Sequence, residues 1–159
     1  NVSQAQFSHP QFMHSLERAL KDSRIPPHCL ELEITESMAM TDPEMLISML
    51  QKIKGMGVRI SIDDFGTGFS SLSQLQKLNV DKLKIDRAFV SEISSVDSEA
   101  SIARMIVQLS QSLNLAVIAE GVETKEQAEA LLTFGCQFAQ GFLYAKPKTK
   151  TELRAWLKG

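Results

Sequence analysis

Along this chain, short β-branched runs alternate with longer stretches in which apolar residues recur at helical spacing, a pattern that admits few folds other than a parallel α/β sheet. The sharpest repeat is Ile60-Ser61-Ile62-Asp63-Asp64-Phe65-Gly66-Thr67-Gly68-Phe69-Ser70-Ser71. Its first half follows Gly57 and reads as a buried strand, and the strand ends in two adjacent carboxylates where the backbone enters a glycine-rich loop. Neighbouring carboxylates repel, and one pKa rises unless a cation sits between them, so a metal site is one reading. The plainer reading is an Asp capping the next helix beside an Asp in a turn.

The remaining repeats follow in order. Asn1-Val2-Ser3 reads as the end of a strand, and His9-Pro10 leads into a helical pattern of Phe12, Leu16, Ala19 and Leu20. In residues 29–35, Leu30, Leu32 and Ile34 alternate with Glu31, Glu33 and Thr35, as in a strand with two different faces. A plain exposed strand explains those acids equally well. Thr41-Asp42-Pro43-Glu44 caps a helix with a stripe of Leu46, Met49, Leu50 and Ile53, and Gly55 stops it. Beyond the glycine loop, Ser70 or Ser71 caps a short helix carrying Leu72, Leu75 and Leu78. Residues 80–85 form a strand, and a helix from about Ser98 to Ser112 turns Ile102, Met105, Ile106 and Leu109 inward. Residues 115–119 are apolar throughout, as in a strand buried on both faces of a parallel sheet. Thr124 with Gln127 makes a capping box for a helix ended by Gly135, residues 137–139 form a last short strand, and residues 149–157 a closing amphipathic helix.

Glu33, Asp63 with Asp64, Lys84, Glu120 and Gln140 all fall at or near the carboxyl ends of these strands. In a β/α barrel those ends converge on one mouth, where active sites are built. Four carboxylates gathered there imply divalent cations, and hard oxygen ligands select Mg²⁺ or Mn²⁺ over zinc. Lys84 is either a counter-charge for the acids or a group that binds phosphate or orients water. Metal-assisted phosphate chemistry is the reading these residues favour.

Composition narrows the classes. A chain of 159 residues suits one domain, and a net charge of −2 does not describe a nucleic-acid-coating surface, so no DNA or RNA binding is expected. Cys29 and Cys136 are isolated, which suits a reduced, cytoplasmic setting and gives neither a zinc nor a catalytic role. No apolar run approaches the roughly 18 to 20 residues of a membrane span; a membrane anchor elsewhere in a parent protein is compatible with this.

The segments Glu31-Leu32-Glu33-Ile34-Thr35-Glu36-Ser37, Asp63-Asp64-Phe65-Gly66-Thr67-Gly68, Lys84-Ile85-Asp86, Glu120-Gly121-Val122-Glu123 and Gln140-Gly141-Phe142 together resemble the ordered signature of the EAL-domain family. That resemblance implies a metal-dependent phosphodiesterase that opens cyclic di-GMP to linear pGpG. It implies two ions, Mg²⁺ or Mn²⁺, with Asn1, Glu33 and Asp63 holding the first and Asp63, Asp64 and Glu120 the second. It makes Lys84 the lysine that positions the attacking water and Gln140 a supporting polar residue. Glu36 becomes the glutamate that steadies the loop of residues 63–71, and Glu123 an outer carboxylate. The family's Glu-Ala-Leu motif precedes the Asn segment and is absent here. The expectation is therefore a single, N-terminally incomplete EAL domain over residues 1–159, a partial TIM-type barrel lacking its first strand or strands, inactive by itself. The resemblance also implies a homodimer through the region of the 65–71 loop. A non-catalytic cyclic di-GMP receptor or interaction module is the alternative function, and another phosphate-handling barrel enzyme a third.

Overall fold

Parallel strands cannot be joined by tight turns, so each strand here is separated from the next by at least one helix. The computed structural model describes residues 1–39, 43–68, 72–93 and 101–158. In chain order the elements are α1 (Gln4–Phe7), α2 (Phe12–Ser23), β1 (Glu31–Thr35), α3 (Glu36–Ala39), α4 (Pro43–Gly55), β2 (Arg59–Phe65), α5 (Leu72–Lys77), β3 (Lys82–Ile85), α6 (Arg87–Ser91), α7 (Ile102–Ser112), β4 (Ala116–Ala119), α8 (Lys125–Phe134), β5 (Phe138–Ala139) and α9 (Lys150–Trp156). The strands form one parallel sheet in the order β1-β2-β3-β4-β5. Val2 donates its N–H to the Glu33 carbonyl at 2.9 Å, so the start of the chain runs beside the outer edge of β1.

One face of the sheet carries the core. Ile34, Ile60, Ile62, Leu83, Ile85, Val117 and Ala119 are buried there, with Leu46, Leu50 and Ile53 of α4 and Ile106 and Val107 of α7 in the same apolar cluster. The other face presents Glu31 and Glu33, Ser61 and Asp63, and Lys82 and Lys84 on β1, β2 and β3, as the period of two requires.

Two expectations change at this level. β4 is not buried on both faces: Val117 and Ala119 are buried, but Ala116 is exposed and Ile118 only half-buried, because they point to the polar side of the sheet rather than toward α7. On α7, Ile102 and Met105 are exposed while Ala103, Ile106, Val107 and Ser110 are buried. The helix is apolar around more than one face, and the face with small residues lets its backbone approach β3 and β4, which it contacts. Ser110 is tolerated there because its hydroxyl donates to the Ile106 carbonyl at 2.8 Å.

Smaller differences are local. Ser101 caps α7 by accepting the Arg104 N–H, and the expected start near Ser98 lies outside the described residues, as do the expected caps at Thr41, Asp42, Ser70 and Ser71. Ala19 of α2 is exposed while Leu16 is buried. Leu72 is exposed while Leu75 and Leu78 are buried. Gly55 closes α4 as its last residue, and the left-handed break comes at Gly57, with φ +84°. The capping box of Thr124 and Gln127 and the left-handed Gly135 bound α8 as expected. α9 has the capping box of Thr149 and Glu152, yet none of its residues is buried.

Asp81 locks the amino ends of two strands. Its carboxylate accepts the N–H of buried Ile60 at 2.8 Å and pairs with Lys54 of α4, while its own N–H donates to the Ile60 carbonyl at 2.8 Å. Asp81→Ala strands the Ile60 amide away from water, so stability is expected to fall by about 1–3 kcal/mol. A urea titration checks this through a lower midpoint at unchanged slope.

Candidate active site

β1 and β3 flank β2, and strands two apart lie about 10 Å from one another, too far for short side chains to meet. A lysine one same-face position further along than the glutamate it meets spans that gap diagonally. Lys82 reaches both carboxylate oxygens of Glu31, at 3.0 and 2.7 Å, and Lys84, two residues on, reaches Glu33 at 3.0 Å. Ser61 of β2, paired with Glu33 on one side and Lys82 on the other, is small and fully buried. A bulkier residue would stand in the way of these bridges. Among the described residues the Ser61 hydroxyl has no hydrogen-bond partner.

Lys84 is the hub of the carboxyl end. Its ammonium lies 3.0 Å from Glu33 Oε1, 3.0 Å from Asp63 Oδ1 and 2.7 Å from Glu120 Oε1, with its side chain only 7% exposed. Burial works against the charge on Lys84, but hydrogen bonds to Glu120, Asp63 and Glu33 outweigh it and hold the pKa above that of an ordinary lysine. Glu120 is shifted upward, chiefly by burial; Lys84 opposes the shift and the charges of Asp63 and Glu33 add to it. Gln140 donates an Nε2–H to the same oxygen, Glu120 Oε1, at 2.8 Å, a second donor that fixes that carboxylate.

Successive residues of a strand face opposite ways, yet both Asp63 and Asp64 bear on this site. The register of β2 against β3 shifts between Ile62 and Phe65, and Asp64 takes a left-handed backbone with φ +53°. A bulge of this kind re-aims a side chain at a strand end. Burial, the neighbouring charge of Asp63 and a hydrogen bond with Asp86 raise the Asp64 pKa against the pull of Lys84. Asp86 has a second task, accepting the Ala88 N–H at 2.7 Å as the cap of α6.

The loop after Asp64 is held from below. Glu36, only 2% exposed, accepts the N–H groups of Gly66 and Gly68 at 2.9 and 3.1 Å. Gly66 has φ +101°, and a Cβ there would come within 2.7 Å of Phe89 and 2.9 Å of Ile106. A Cβ on Gly68 would press on the Glu36 carboxylate at 3.0 Å.

Glu33, Asp63, Lys84, Glu120 and Gln140 are thus brought into one connected cluster, with Asp64 and Glu36 adjoining it. Asn1 stands beside the end of β1, next to Val2, and is exposed. Glu123 is exposed, lines a neighbouring pocket with Gln140, and makes no contact with Lys84. Sequence reading gave no role to Asp86, although it directly follows the Lys84 strand, or to the Glu31–Lys82 pair, whose signal is the matching two-residue spacing of acids on β1 and lysines on β3.

Among the described residues, no group of three or more acidic, His or Cys side chains is disposed to hold a metal ion; Glu33, Asp63 and Glu120 are gathered about the Lys84 ammonium instead. The donor set nevertheless fits a hard divalent cation, since one ammonium faces three carboxylates and the excess charge is negative.

The EAL domain family matches residues 1–147. Among curated proteins, the chain is 44% identical over 155 residues to the bifunctional diguanylate cyclase/cyclic di-GMP phosphodiesterase MucR of Pseudomonas aeruginosa, covering 98% of this chain and 23% of that protein. A solved structure of the MucR phosphodiesterase in complex with cyclic di-GMP is 44% identical with a TM-score of 0.91, covering 96% of this chain and 62% of that one. BlrP1 of Klebsiella pneumoniae, solved as calcium and manganese complexes with cyclic di-GMP, is 32% identical with a TM-score of 0.80, covering 89% of this chain and 36% of that one. The chain therefore spans under a quarter of the curated MucR protein and somewhat under two thirds of the solved phosphodiesterase chain.

If Glu36 fixes the loop, its loss must free two amides. Both Glu36→Ala and Gly68→Val are expected to speed hydrogen exchange at the Gly66 amide by about tenfold or more, equivalent to about 1.4 kcal/mol of local opening. The amides of Ile60 and Ile62 should stay protected. Exchange monitored by NMR or mass spectrometry reads this, and an unaltered Gly66 amide would remove Glu36 from the role.

Proposed function

The chain belongs to the EAL-domain family, and we propose that the protein carrying it hydrolyses cyclic di-GMP to linear pGpG with divalent cations, Mg²⁺ or Mn²⁺. The observation that carries this reading is the convergence of Glu33, Asp63 and Glu120, from three different strand ends, on Lys84 within 2.7–3.0 Å. We propose that Asn1, Glu33 and Asp63 hold one ion and Asp63, Asp64 and Glu120 the other, with Asp63 common to both. When bound, such ions supply a polarised water and neutralise charge on the phosphoryl group.

The chain's own residues do the rest. Lys84, ringed by three carboxylates, stays protonated, so it acts as a cation and donor and not as a base. Its place is to orient the water and to meet negative charge that develops on phosphate. Gln140 holds Glu120 in position, Glu36 holds the loop that carries Asp63 and Asp64, and Glu123 serves as an outer carboxylate of the mouth. We propose further that the working unit is larger than these residues and dimerises near the loop of residues 65–71, of which 69–71 lie outside the described residues. What supports the second point is the exposure of Ile102 and Met105 on α7, beside Ile106, the residue against which Gly66 packs.

Two substitutions test the site in the complete protein. Asp63→Asn keeps shape but discards the shared charge; turnover is expected to fall below detection, and the rise in melting temperature on adding Mn²⁺ to disappear. Chromatography of pGpG and thermal melting read the two effects, and activity within a few-fold of the parent would refute the shared role. Lys84→Met is expected to lower kcat by about two to three orders of magnitude. Cyclic di-GMP binding without turnover in the unaltered protein would assign it instead as a receptor.

A further inference from the structure

On the polar face of β2, Ser61 stands between two charged residues, Arg59 and Asp63, and is itself neutral, short and fully buried. Its hydroxyl has no hydrogen-bond partner among the described residues, although leaving a buried hydroxyl unpaired lowers stability. Atoms of this chain already cover that oxygen completely, so its lack of a partner does not depend on any further segment. A hydroxyl that bonds nothing is not what the position requires. What remains is the small volume of the side chain.

The sheet register gives that volume a use. Ser61 pairs with Glu33 on β1 and with Lys82 on β3, so these three residues share one level of the sheet. Lys82 leaves that level to reach Glu31 at 2.7 Å, crossing β2 on the Arg59 side of Ser61. Lys84 comes down to that level to reach Glu33 at 3.0 Å, crossing on the Asp63 side. Both stems therefore pass beside Ser61. Lys84 has little freedom to detour, because the same ammonium also holds Asp63 at 3.0 Å and Glu120 at 2.7 Å. Close-packed interiors feel a single added methyl group. One placed here would lift the Lys84 stem from the sheet and break the reach across two strands to Glu33.

We infer that Ser61 is a positioning residue for the proposed reaction, needed for its small volume and not for its hydroxyl: the gap it leaves on β2 lets Lys84 cross from β3 to Glu33 and so fixes the ammonium at the mouth. The inference rests on the proposed function for the reaction that Lys84 serves. The gap and the crossing stand independently of it.

The test separates volume from hydroxyl in the complete protein. Parent, Ser61→Ala, Ser61→Thr and Ser61→Val are compared by melting temperature, by the lysine ammonium resonances of ¹⁵N-lysine-labelled protein without added divalent ions, and by kcat and KM for cyclic di-GMP in Mn²⁺. Lys84→Met identifies the Lys84 resonance by its loss. Ser61→Ala removes the hydroxyl and adds no volume, so it should keep the Lys84 resonance in place and melt at or above the parent temperature. Ser61→Thr keeps the hydroxyl and adds one methyl group. It and Ser61→Val should shift or broaden that resonance and lower kcat about tenfold to a hundredfold below the Ser61→Ala value, with KM within about twofold, the scale of misplacing a reacting group by about 1 Å. Asp81→Ala, which loosens the amino end of β2, should lower the melting temperature and leave the Lys84 resonance where it is, so lost stability is not read as misplacement. A Ser61→Thr variant that matches Ser61→Ala in resonance and kcat overturns the inference. Loss of the Lys84 resonance in Ser61→Ala overturns it as well, and so does a Ser61→Thr variant that does not fold, since the volume would then serve folding and not Lys84. Failure of the unaltered protein to hydrolyse cyclic di-GMP would remove the proposed function, while the resonances would still decide whether Ser61 places Lys84.

Discussion

Lys84 carries one positive charge into a face that holds carboxylates from three other strands, and the positions of β1, β2, β3 and β4 all bear on whether that charge is met. One oxygen of each of Glu33, Asp63 and Glu120 lies 2.7–3.0 Å from the ammonium. Coulomb attraction to that shared cation opposes the mutual repulsion of the three acids without making the cluster neutral. The upward shift of Glu120 records the same imbalance. Burial makes its ionised form costly and one lysine does not cancel it. The chemistry proposed for this face uses that residual negative charge, since it is what a divalent cation would be drawn to.

The loop after Asp64 answers a different constraint. Asp63 must face Lys84 while Asp64 turns out of the strand's alternation, and only a break in the ladder permits both. The left-handed backbone at Asp64 provides it, and Glu36 prevents the break from becoming slack by accepting two amides beyond it. Gly66 then packs on Phe89 and Ile106, so the loop is fixed to α6 and α7 as well as to α3.

Most of this arrangement could be read from residue order. The strand ends at Glu33, Asp63, Lys84, Glu120 and Gln140 were legible because a period of two and a glycine or helix cap mark each end clearly, and their joint spacing identifies the EAL family. Faces were less legible where apolar residues surround an element. On α7 the larger Ile102 and Met105 resembled the core row, whereas close approach to β3 and β4 selected Ala103 and Ser110. β4 read as buried on both sides because Ala116 and Ile118 are apolar, and sequence pattern does not reveal that their face is the polar one. Asp86 was hidden for another reason: a residue that caps α6 looks complete, and its contact with Asp64 depends on a bulge that residue type alone does not announce.

The paired spacing of Glu31 and Glu33 with Lys82 and Lys84 also reads out the sheet register. A slip of one residue between β1 and β2 or between β2 and β3 would send one member of each pair to the apolar face, where an unpaired charge is far more costly than a lost backbone bond. Two bridges, set two residues apart, therefore oppose every odd slip at once. Glu31–Lys82 does so at a point away from the mouth, where no catalytic demand is placed on it. Its value is to the site nonetheless. With register held by that outer pair, Lys84 is free to share its charge among Glu33, Asp63 and Glu120, a division that would make it a poor guardian of register on its own. Ser61 lies between the two bridges because the sheet there must be thin enough for lysines to cross it.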